Sequence, residues 1–346
     1  MPPVLPSGRG IAATIGDIDA ASDEALLRAG IDKALAAVAA ELRAHTPAAA
    51  LAGAWSEVLR HGVATAVRLV PAPANWTWFV SGSIARGEAA PGSDVETMVA
   101  IRDSVDDATK TEVLARAADV HALLERCGIR GDANGVLASR PRFCRRLSSW
   151  AEGTERWTVD PGEDRGVVMT GLLADSTGVW GSVAPDALRA QTVAAVGRSY
   201  PARQAMLQDA TAVRAGFPSR LRVFATHADT VDLKLAAIDP VVKIARWAAL
   251  SAGSQALSTL GRLDDAAAAK VLDADDVSSL RDCFGWLLRF RWRTRAGAFL
   301  AGRRVSDVVL LSETPPQERA MLRSVAREVA GIRRKLTYLA STSAFR

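Results

Sequence analysis

The sequence has little cysteine and no long hydrophobic run, and both shortages limit what the protein can be. Its three cysteines, Cys127, Cys144 and Cys283, are widely spaced and form no Cys-x-x-Cys pair, so they indicate neither a disulfide framework nor a zinc ribbon. No apolar run approaches the roughly 18 residues that span a bilayer. The first residues also lack the basic and apolar regions of a signal peptide. We therefore expect a cytoplasmic protein with no membrane partner, in a reducing compartment.

Several catalytic motifs are missing as well. There is no P-loop signature and no Gly-x-Ser-x-Gly elbow, which argues against a P-loop ATPase and an α/β-hydrolase. The four histidines show no paired spacing, so no zinc site is predicted. The net charge of +5 combines 43 basic with 38 acidic residues, which permits a phosphate-bearing partner without requiring one. With 49% apolar and 23% charged residues, the composition excludes intrinsic disorder.

The order of predicted elements places a small α/β unit between helical regions. Residues 1–20 are rich in Pro, Gly and Ala and predict a flexible N-terminus. Residues 21–70 predict helices that pack on the core. Residues 71–183 contain the predicted strands, and residues 184–346 are almost wholly helical in pattern. The predicted fold class is α+β, with a small mixed β-sheet domain, flanking helices and an all-α C-terminal bundle.

Three segments are predicted as strands. The aromatic and β-branched segment Trp76–Val80 comes first, and the alternating segment Asp94–Ile101 comes second. The apolar run Val167–Leu173 is the third, with Asp175 just beyond it.

The residues that could carry chemistry begin at the end of the first predicted strand, with Gly82 and Ser83. Gly82 has no side chain, so a ligand can approach its backbone closely. Ser83 adds a hydroxyl group. A helix that starts there would turn its free N–H groups and positive dipole end toward the same point, which is an arrangement that binds phosphate.

Two carboxylates, Asp94 and Glu96, lie two residues apart on the second predicted strand. The period of two puts both on one face, where they repel each other by up to several kcal/mol at an effective dielectric near 20. Mg²⁺ would offset this repulsion, because it prefers one or two carboxylates together with substrate phosphates. A Gly-Ser pair alone is a common turn, and two acids with this spacing are often a solvated face. Together, however, Gly82-Ser83 and Asp94/Glu96 indicate metal-assisted nucleotidyl transfer.

The combined spacing resembles the nucleotidyltransferase fold of the DNA polymerase β superfamily, whose pattern is Gly-Gly/Ser, a gap of about ten residues and Asp-x-Asp/Glu. The inner residues Ala85-Arg86-Gly87-Glu88 and Pro91-Gly92-Ser93-Asp94 are similar to the branch with the PII uridylyltransferases and glutamine synthetase adenylyltransferases. Looser similarity extends to about residue 340 and includes Asp232-Leu233-Lys234, which resembles the start of a helical substrate-binding domain.

This resemblance implies roles for the matched positions. Asp94 and Glu96 would bind Mg²⁺, with Mn²⁺ as the alternative, and Asp175 would be the third catalytic carboxylate, which assists activation of the acceptor hydroxyl. Relatives tend to carry Arg two residues after that Asp, where this chain has Thr177, and Glu96 stands where Asp is commoner. The residues implied in nucleotide binding are Gly82, Ser83, Arg86, Ser93 and Lys234.

The function implied is transfer of a nucleoside monophosphate from an NTP to an acceptor hydroxyl, with release of pyrophosphate and with a protein as acceptor, as in PII uridylylation. Two alternatives stay open. Glu96 and Thr177 also suit a degenerate nucleotide-binding sensor or interaction protein. The positive charge and the run of alternating arginines and aromatics over residues 289–295 suit a toxin-like transferase that acts on RNA or tRNA. The same run also suits a helix with its aromatic residues inward and its arginines outward.

Overall fold

The computed structural model of the chain describes residues 9–212 and 229–343. The chain divides into two compact units. The first unit takes in residues up to 156 together with 169–192 and 296–303, and the second takes in 157–168, 193–295 and 304 onward. No helix among the described residues is both long and apolar enough to cross a bilayer.

The N-terminal residues form two short helices, α1 (Arg9–Ala12) and α2 (Ile15–Ala20), where the composition predicts a flexible terminus. The prediction is wrong for these residues because Ile11 and Ile18 are fully buried. The bare Cα of Gly30 makes room for Ile18, whose Cγ1 would lie 2.9 Å from a Cβ at that position. Short-range composition does not reveal such a docking site.

Two long helices follow, α3 (Glu24–Arg43) and α4 (Ala48–Leu69), as the apolar periodicity predicts. Asp23 caps α3, since its carboxylate accepts a hydrogen bond of 2.8 Å from the N–H of Leu26. The two helices pack on each other and on α1 and α2. They form the helical layer expected for residues 21–70.

A four-stranded mixed sheet forms the centre of the first unit, in the order β3-β2-β1-β4. Strand β1 pairs antiparallel with both β2 and β4, and β2 pairs parallel with β3. The two inner strands are buried throughout, which explains their nearly continuous apolar sequence. The strands are β1 (Trp76–Val80), β2 (Thr97–Ile101), β3 (Cys144–Arg146) and β4 (Thr177–Trp180).

The remaining helices up to the middle of the chain connect these strands and lead away from them. They are α5 (Gly82–Ala85), α6 (Asp107–Arg126), α7 (Leu147–Val159), α8 (Gly166–Ala174), α9 (Ala187–Arg198) and α10 (Tyr200–Ala212). Helix α8 replaces the third strand predicted over Val167–Leu173, and strand β4 comes directly after it. A short run that is apolar on all sides can be a buried helix as well as a buried strand, so periodicity alone could not decide between them.

The C-terminal part is helical, as predicted, with one addition. Its helices are α11 (Asp239–Ser251), α12 (Thr259–Ala268), α13 (Ala274–Leu300) and α14 (Pro316–Ser343), and a short π-helix over Lys234–Ile238 precedes α11. The addition is a two-stranded antiparallel ribbon of β5 (Thr230–Asp232) and β6 (Val308–Leu310). The sequence analysis does not predict this ribbon, because its strands are three residues long and 75 residues apart.

A buried ion-pair cluster lies beside the ribbon in the second unit. Asp307 accepts two hydrogen bonds from Arg291, of 2.8 and 2.9 Å, and one of 2.7 Å from Arg295. Burial would raise the pKa of Asp307, but the two guanidinium groups outweigh it and lower the pKa to about 2. Two arginines of the run at 289–295 are therefore buried and paired, so the expectation that its arginines all point outward is wrong. The inward placement of Phe290 and Trp292 is confirmed.

We expect Asp307→Asn to lower the free energy of unfolding by about 3–5 kcal/mol, because it removes the carboxylate with which two buried guanidinium groups pair. The interaction of ionised Asp307 with the two arginines contributes stability that is complete above about pH 4 and is lost as the pH falls toward 2. Urea unfolding across this range measures both effects. Asp273→Asn, which removes an exposed partner of Lys335, is the control and should change little. Equal effects of the two substitutions would contradict the argument.

Candidate active site

Three strand ends meet at one edge of the four-stranded sheet. Because β2 and β4 are both antiparallel to β1, the C-terminal end of β1 lies beside the N-terminal ends of the other two. Val80 pairs with Thr97 on one side and with Thr177 on the other. The residues that follow β1 and precede β2 and β4 are therefore neighbours. We call this edge of the sheet, with Gly82, Glu96 and Asp175, the reaction edge.

Glu96 lies directly against the backbone of Gly82. A Cβ atom at position 82 would be 3.0 Å from Cδ of Glu96 and closer still to its Oε2. Gly82 also has φ +66°, which is in the left-handed region that glycine adopts without strain. The N–H of Ser81 donates a hydrogen bond of 3.0 Å to the carbonyl of Glu96 and fixes the two segments in register. Glycine at position 82 is thus required by the approach of a carboxylate.

Asp94 and Glu96 lie in the extended segment that enters β2, rather than within the regular strand as predicted. Val95, between them, is fully buried and forms a parallel bridge with Gly131. Its burial turns the two acidic side chains away from the interior, and Asp94 is exposed while Glu96 is half-buried. The local structure thus keeps the alternation on which the sequence argument depends.

Ser83 lies in the single-turn helix α5, and Ser93 lies in the loop that leads to Asp94. The hydroxyl of Ser93 accepts a hydrogen bond of 3.0 Å from the N–H of Ala90, so it shapes the turn that presents Asp94. Ser83 is half-buried, and its carbonyl accepts the N–H of Glu88 at 2.8 Å. Helix α5, which begins at Gly82, is a single turn of four residues. The backbone at Gly82 and Ser83, rather than a long helix dipole, is what a phosphate would meet there.

Asp175 is buried at the same edge and contacts Arg86. The guanidinium of Arg86 pairs with Asp175 through Nη1 and with Glu88 through Nε, the latter at 2.7 Å. Burial alone would lower the pKa of Arg86, but the carboxylates of Asp175 and Glu88 outweigh it and raise the pKa further. Engagement by two carboxylates favours a role for Arg86 in positioning Asp175 and the loop over direct phosphate binding. Sequence reasoning assigned no role to Glu88.

A further segment lies at this edge, residues 135–140; residues 135–139 belong to the sequence resemblance, whereas sequence reasoning assigned no role to Arg140. The N–H of Thr97 donates to the carbonyl of Val136 at 3.0 Å, and the hydroxyl of Thr97 accepts the N–H of Ala138 at 2.9 Å. The chain then runs through Arg140 into β3, parallel to β2, so Arg140 lies toward the same end of the sheet. Arg140 is exposed and forms no ion pair with any residue that the structure describes. The sequence feature that could have indicated a role for Arg140 is the cluster of four arginines within residues 140–146.

His121 supports the same segment from the interior. Its Nε2 lies 3.0 Å from the hydroxyl of Thr97, and burial lowers its pKa to about 4. The ring is therefore neutral at pH 7 and acts as a packing residue, in agreement with the absence of paired histidine spacing. His227, the last of the four histidines, lies outside the described residues.

Lys234 belongs to the second unit, where it begins the π-helix and is exposed. The carboxylate of Asp232 accepts a hydrogen bond of 3.0 Å from the N–H of Leu235. Lys234 lies between these two residues. Lys234 thus lies in the segment whose sequence resembles the start of a substrate-binding domain. Its implied role in nucleotide binding stays a prediction.

The donor set at the reaction edge fits a hard divalent cation that also binds a substrate. Asp94 and Glu96 supply carboxylate oxygens, which Mg²⁺ prefers over nitrogen or sulfur. No cluster of three or more His, Cys, Asp or Glu side chains with metal-binding geometry occurs among the described residues. Two carboxylates do not fill an octahedral shell, so substrate phosphates and water would complete it.

We expect Arg86→Gln to lower the free energy of unfolding by about 3–5 kcal/mol, since it leaves two buried carboxylates without their cation. Urea unfolding measures this loss. Arg116→Gln, which breaks an exposed pair with Asp119, is the matched control and should have little effect. A loss no larger than that of the control would show that Arg86 does not hold the loop.

Comparison with known proteins agrees with this geometry. Residues 31–164 match the family model described as "Putative nucleotidyltransferase DUF294". Residues 201–339 match the model described as "Putative nucleotidyltransferase substrate binding domain". A search of curated proteins gives no match. The matched stretches cover more than three quarters of the chain and follow each other in the order that the sequence motifs predict. The chain therefore belongs to this family of nucleotidyltransferases with a C-terminal substrate-binding domain.

Proposed function

We propose that the protein transfers a nucleoside monophosphate from an NTP to an acceptor hydroxyl group, with a protein as the acceptor, and releases pyrophosphate. The observation that carries this proposal is the position of Glu96 against the bare backbone of Gly82, with Asp94 two residues earlier. The carboxylate of Glu96 thus lies against a backbone that phosphates could approach, and a second carboxylate precedes it in the same segment. The family match supports nucleotidyl transfer in general, and the acceptor is our inference from the similarity to PII uridylyltransferases.

In the proposed reaction, the acceptor oxygen forms a bond to the α-phosphorus and the bond from that phosphorus to the bridging oxygen of pyrophosphate breaks. A divalent cation such as Mg²⁺, held by Asp94 and Glu96, would neutralise the charge that develops on the phosphate oxygens. Gly82 and Ser83 hold the triphosphate close to these carboxylates, and Arg140 adds a positive charge at the same edge. Asp175, oriented by Arg86, accepts the proton of the acceptor hydroxyl. Positioning and charge neutralisation supply most of the rate.

The two alternatives differ in their support from the structure. The pairing of Asp175 with Arg86 favours the sensor alternative to some degree, because it gives the third carboxylate a structural partner. The RNA alternative loses its main argument, because Arg291 and Arg295 are buried and paired with Asp307. Both remain as distinct outcomes of a labelling experiment.

We expect Asp94→Asn and Glu96→Gln each to lower transfer by about 100-fold or more, since even outer-shell partners of catalytic metals matter by 10- to 100-fold. The measurement incubates the protein with each α-labelled NTP and Mg²⁺, with and without host extract, and follows label and pyrophosphate. Glu112→Gln, on the exposed face of α6, is the control. Label in a protein band supports the proposal and label in RNA supports the RNA alternative. Nucleotide binding without pyrophosphate release identifies a sensor.

The substitution Gly82→Ala tests whether transfer depends on the position of the Glu96 carboxylate, as distinct from the effect of backbone strain. The new methyl group would displace the Glu96 carboxylate, and a shift of about 1 Å at a catalytic group can lower the rate about 100-fold. Gly87→Ala is the matched control, because Gly87 has a similar φ of +73° but no atom within 4 Å of a Cβ. We expect both variants to be slightly less stable and only Gly82→Ala to lose transfer. Equal losses in the two would attribute the effect to strain alone.

A further inference from the structure

A cavity of about 680 Å³ lies in the first unit at the edge of the sheet opposite the reaction edge. It is bounded by the loop before β1, by the C-terminal end of β2 and by the turn after β4. Strand β1 has five residues, so at about 3.4 Å per residue the two edges are roughly 14 Å apart. A small ligand in this cavity would not reach Glu96.

A β-bulge in β4 shapes one wall. Trp78 pairs with Trp180, whereas the next residue, Phe79, pairs with Gly178, so Val179 is the extra residue. Bulges bend a strand and re-aim its side chains. Beyond the bulge, Trp180 lines the cavity with 40% of its surface exposed, whereas the two inner strands of the sheet are buried throughout.

The turn after β4 is held rigidly against β1. Gly181 has φ +114°, and a Cβ there would lie 2.6 Å from Cα of Thr77. The N–H of Gly178 donates to the carbonyl of Pro185 at 2.7 Å, and the N–H of Val183 donates to Oγ1 of Thr77 at 3.2 Å. These contacts fix the turn at both ends. The cavity is therefore pre-formed and needs no ordering of the loop when a ligand binds.

The cavity is also lined by an arginine without a counter-charge. Arg102, at the end of β2, is exposed and forms no ion pair with any described residue. The adjacent Asp103 forms no ion pair with it; its carboxylate instead accepts hydrogen bonds from the N–H and the hydroxyl of Ser148, at 2.9 and 2.7 Å. Asn75 and Ser182 contribute further polar side chains, and neither forms a side-chain hydrogen bond within the described part of the chain.

We propose that this cavity is a second binding site, which takes a nucleoside monophosphate and is separate from the reaction edge of the proposed function. The nucleobase stacks on Trp180, the phosphate pairs with Arg102, and Asn75 and Ser182 offer hydrogen bonds to the base and ribose. The volume lies within the range of small-molecule sites. An exposed indole and an unpaired guanidinium at a rigid cavity match a ligand that is aromatic at one end and anionic at the other.

Titration calorimetry with AMP tests this inference on the full chain. We expect Trp180→Ala and Arg102→Gln each to weaken AMP binding about tenfold or more, and Trp180→Phe to keep most of it. Adenosine and ribose 5-phosphate, which each lack one end of the ligand, should bind more weakly than AMP. Arg43→Gln and Tyr200→Ala, which remove an exposed arginine and an exposed tyrosine elsewhere, are the controls and should bind AMP as the wild type does.

The test distinguishes this site from the reaction edge. Glu96→Gln should bind AMP with unchanged affinity, whether or not the protein transfers nucleotides. If AMP gives no binding to the wild type at millimolar concentration, the inference is overturned. It is also overturned if binding is lost in Glu96→Gln but kept in Arg102→Gln, since AMP would then occupy the reaction edge. Thermal unfolding of each variant shows that it is folded.

Discussion

The contact between the Glu96 carboxylate and the bare backbone of Gly82 is the constraint on which the candidate active site depends. It requires glycine at the end of β1, a left-handed φ there and an extended chain entering β2. Each requirement follows from the close approach of a charged side chain to the backbone at Gly82. Strand pairing then fixes the distance, because Ser81 bonds to the carbonyl of Glu96 itself.

Both units of the chain use buried arginines in small charged clusters. In the first unit, Arg86 forms ion pairs with two carboxylates. In the second unit, the carboxylate of Asp307 forms ion pairs with two arginines. The first cluster thus places two carboxylates around one guanidinium at the reaction edge. The second cluster joins a two-stranded ribbon to α13.

The fold was predictable from the sequence wherever the local pattern of apolar residues in a segment agrees with the burial of that segment in the structure. The helices α3 and α4 were predicted because their apolar residues recur at helical spacing, and the strand Trp76–Val80 because its residues are aromatic and β-branched. The apolar run before Asp175 was misassigned, because a segment buried on all sides has no informative period. The helices before residue 21 were missed because their stability comes from docking of Ile11 and Ile18, and the roles of Arg86 and Arg291 depend on partners distant in sequence.

By itself, the sequence determined the chemistry that the chain can offer: a Gly-Ser pair, two carboxylates with a period of two and the order of the two domains. These are local properties, since spacing along an extended chain decides which side chains share a face. Only the tertiary structure decided that Asp175 pairs with Arg86, that two arginines of the run at 289–295 are internal and that Trp180 and Arg102 line one cavity. Those facts depend on antiparallel pairing and packing between distant segments, which no local pattern encodes.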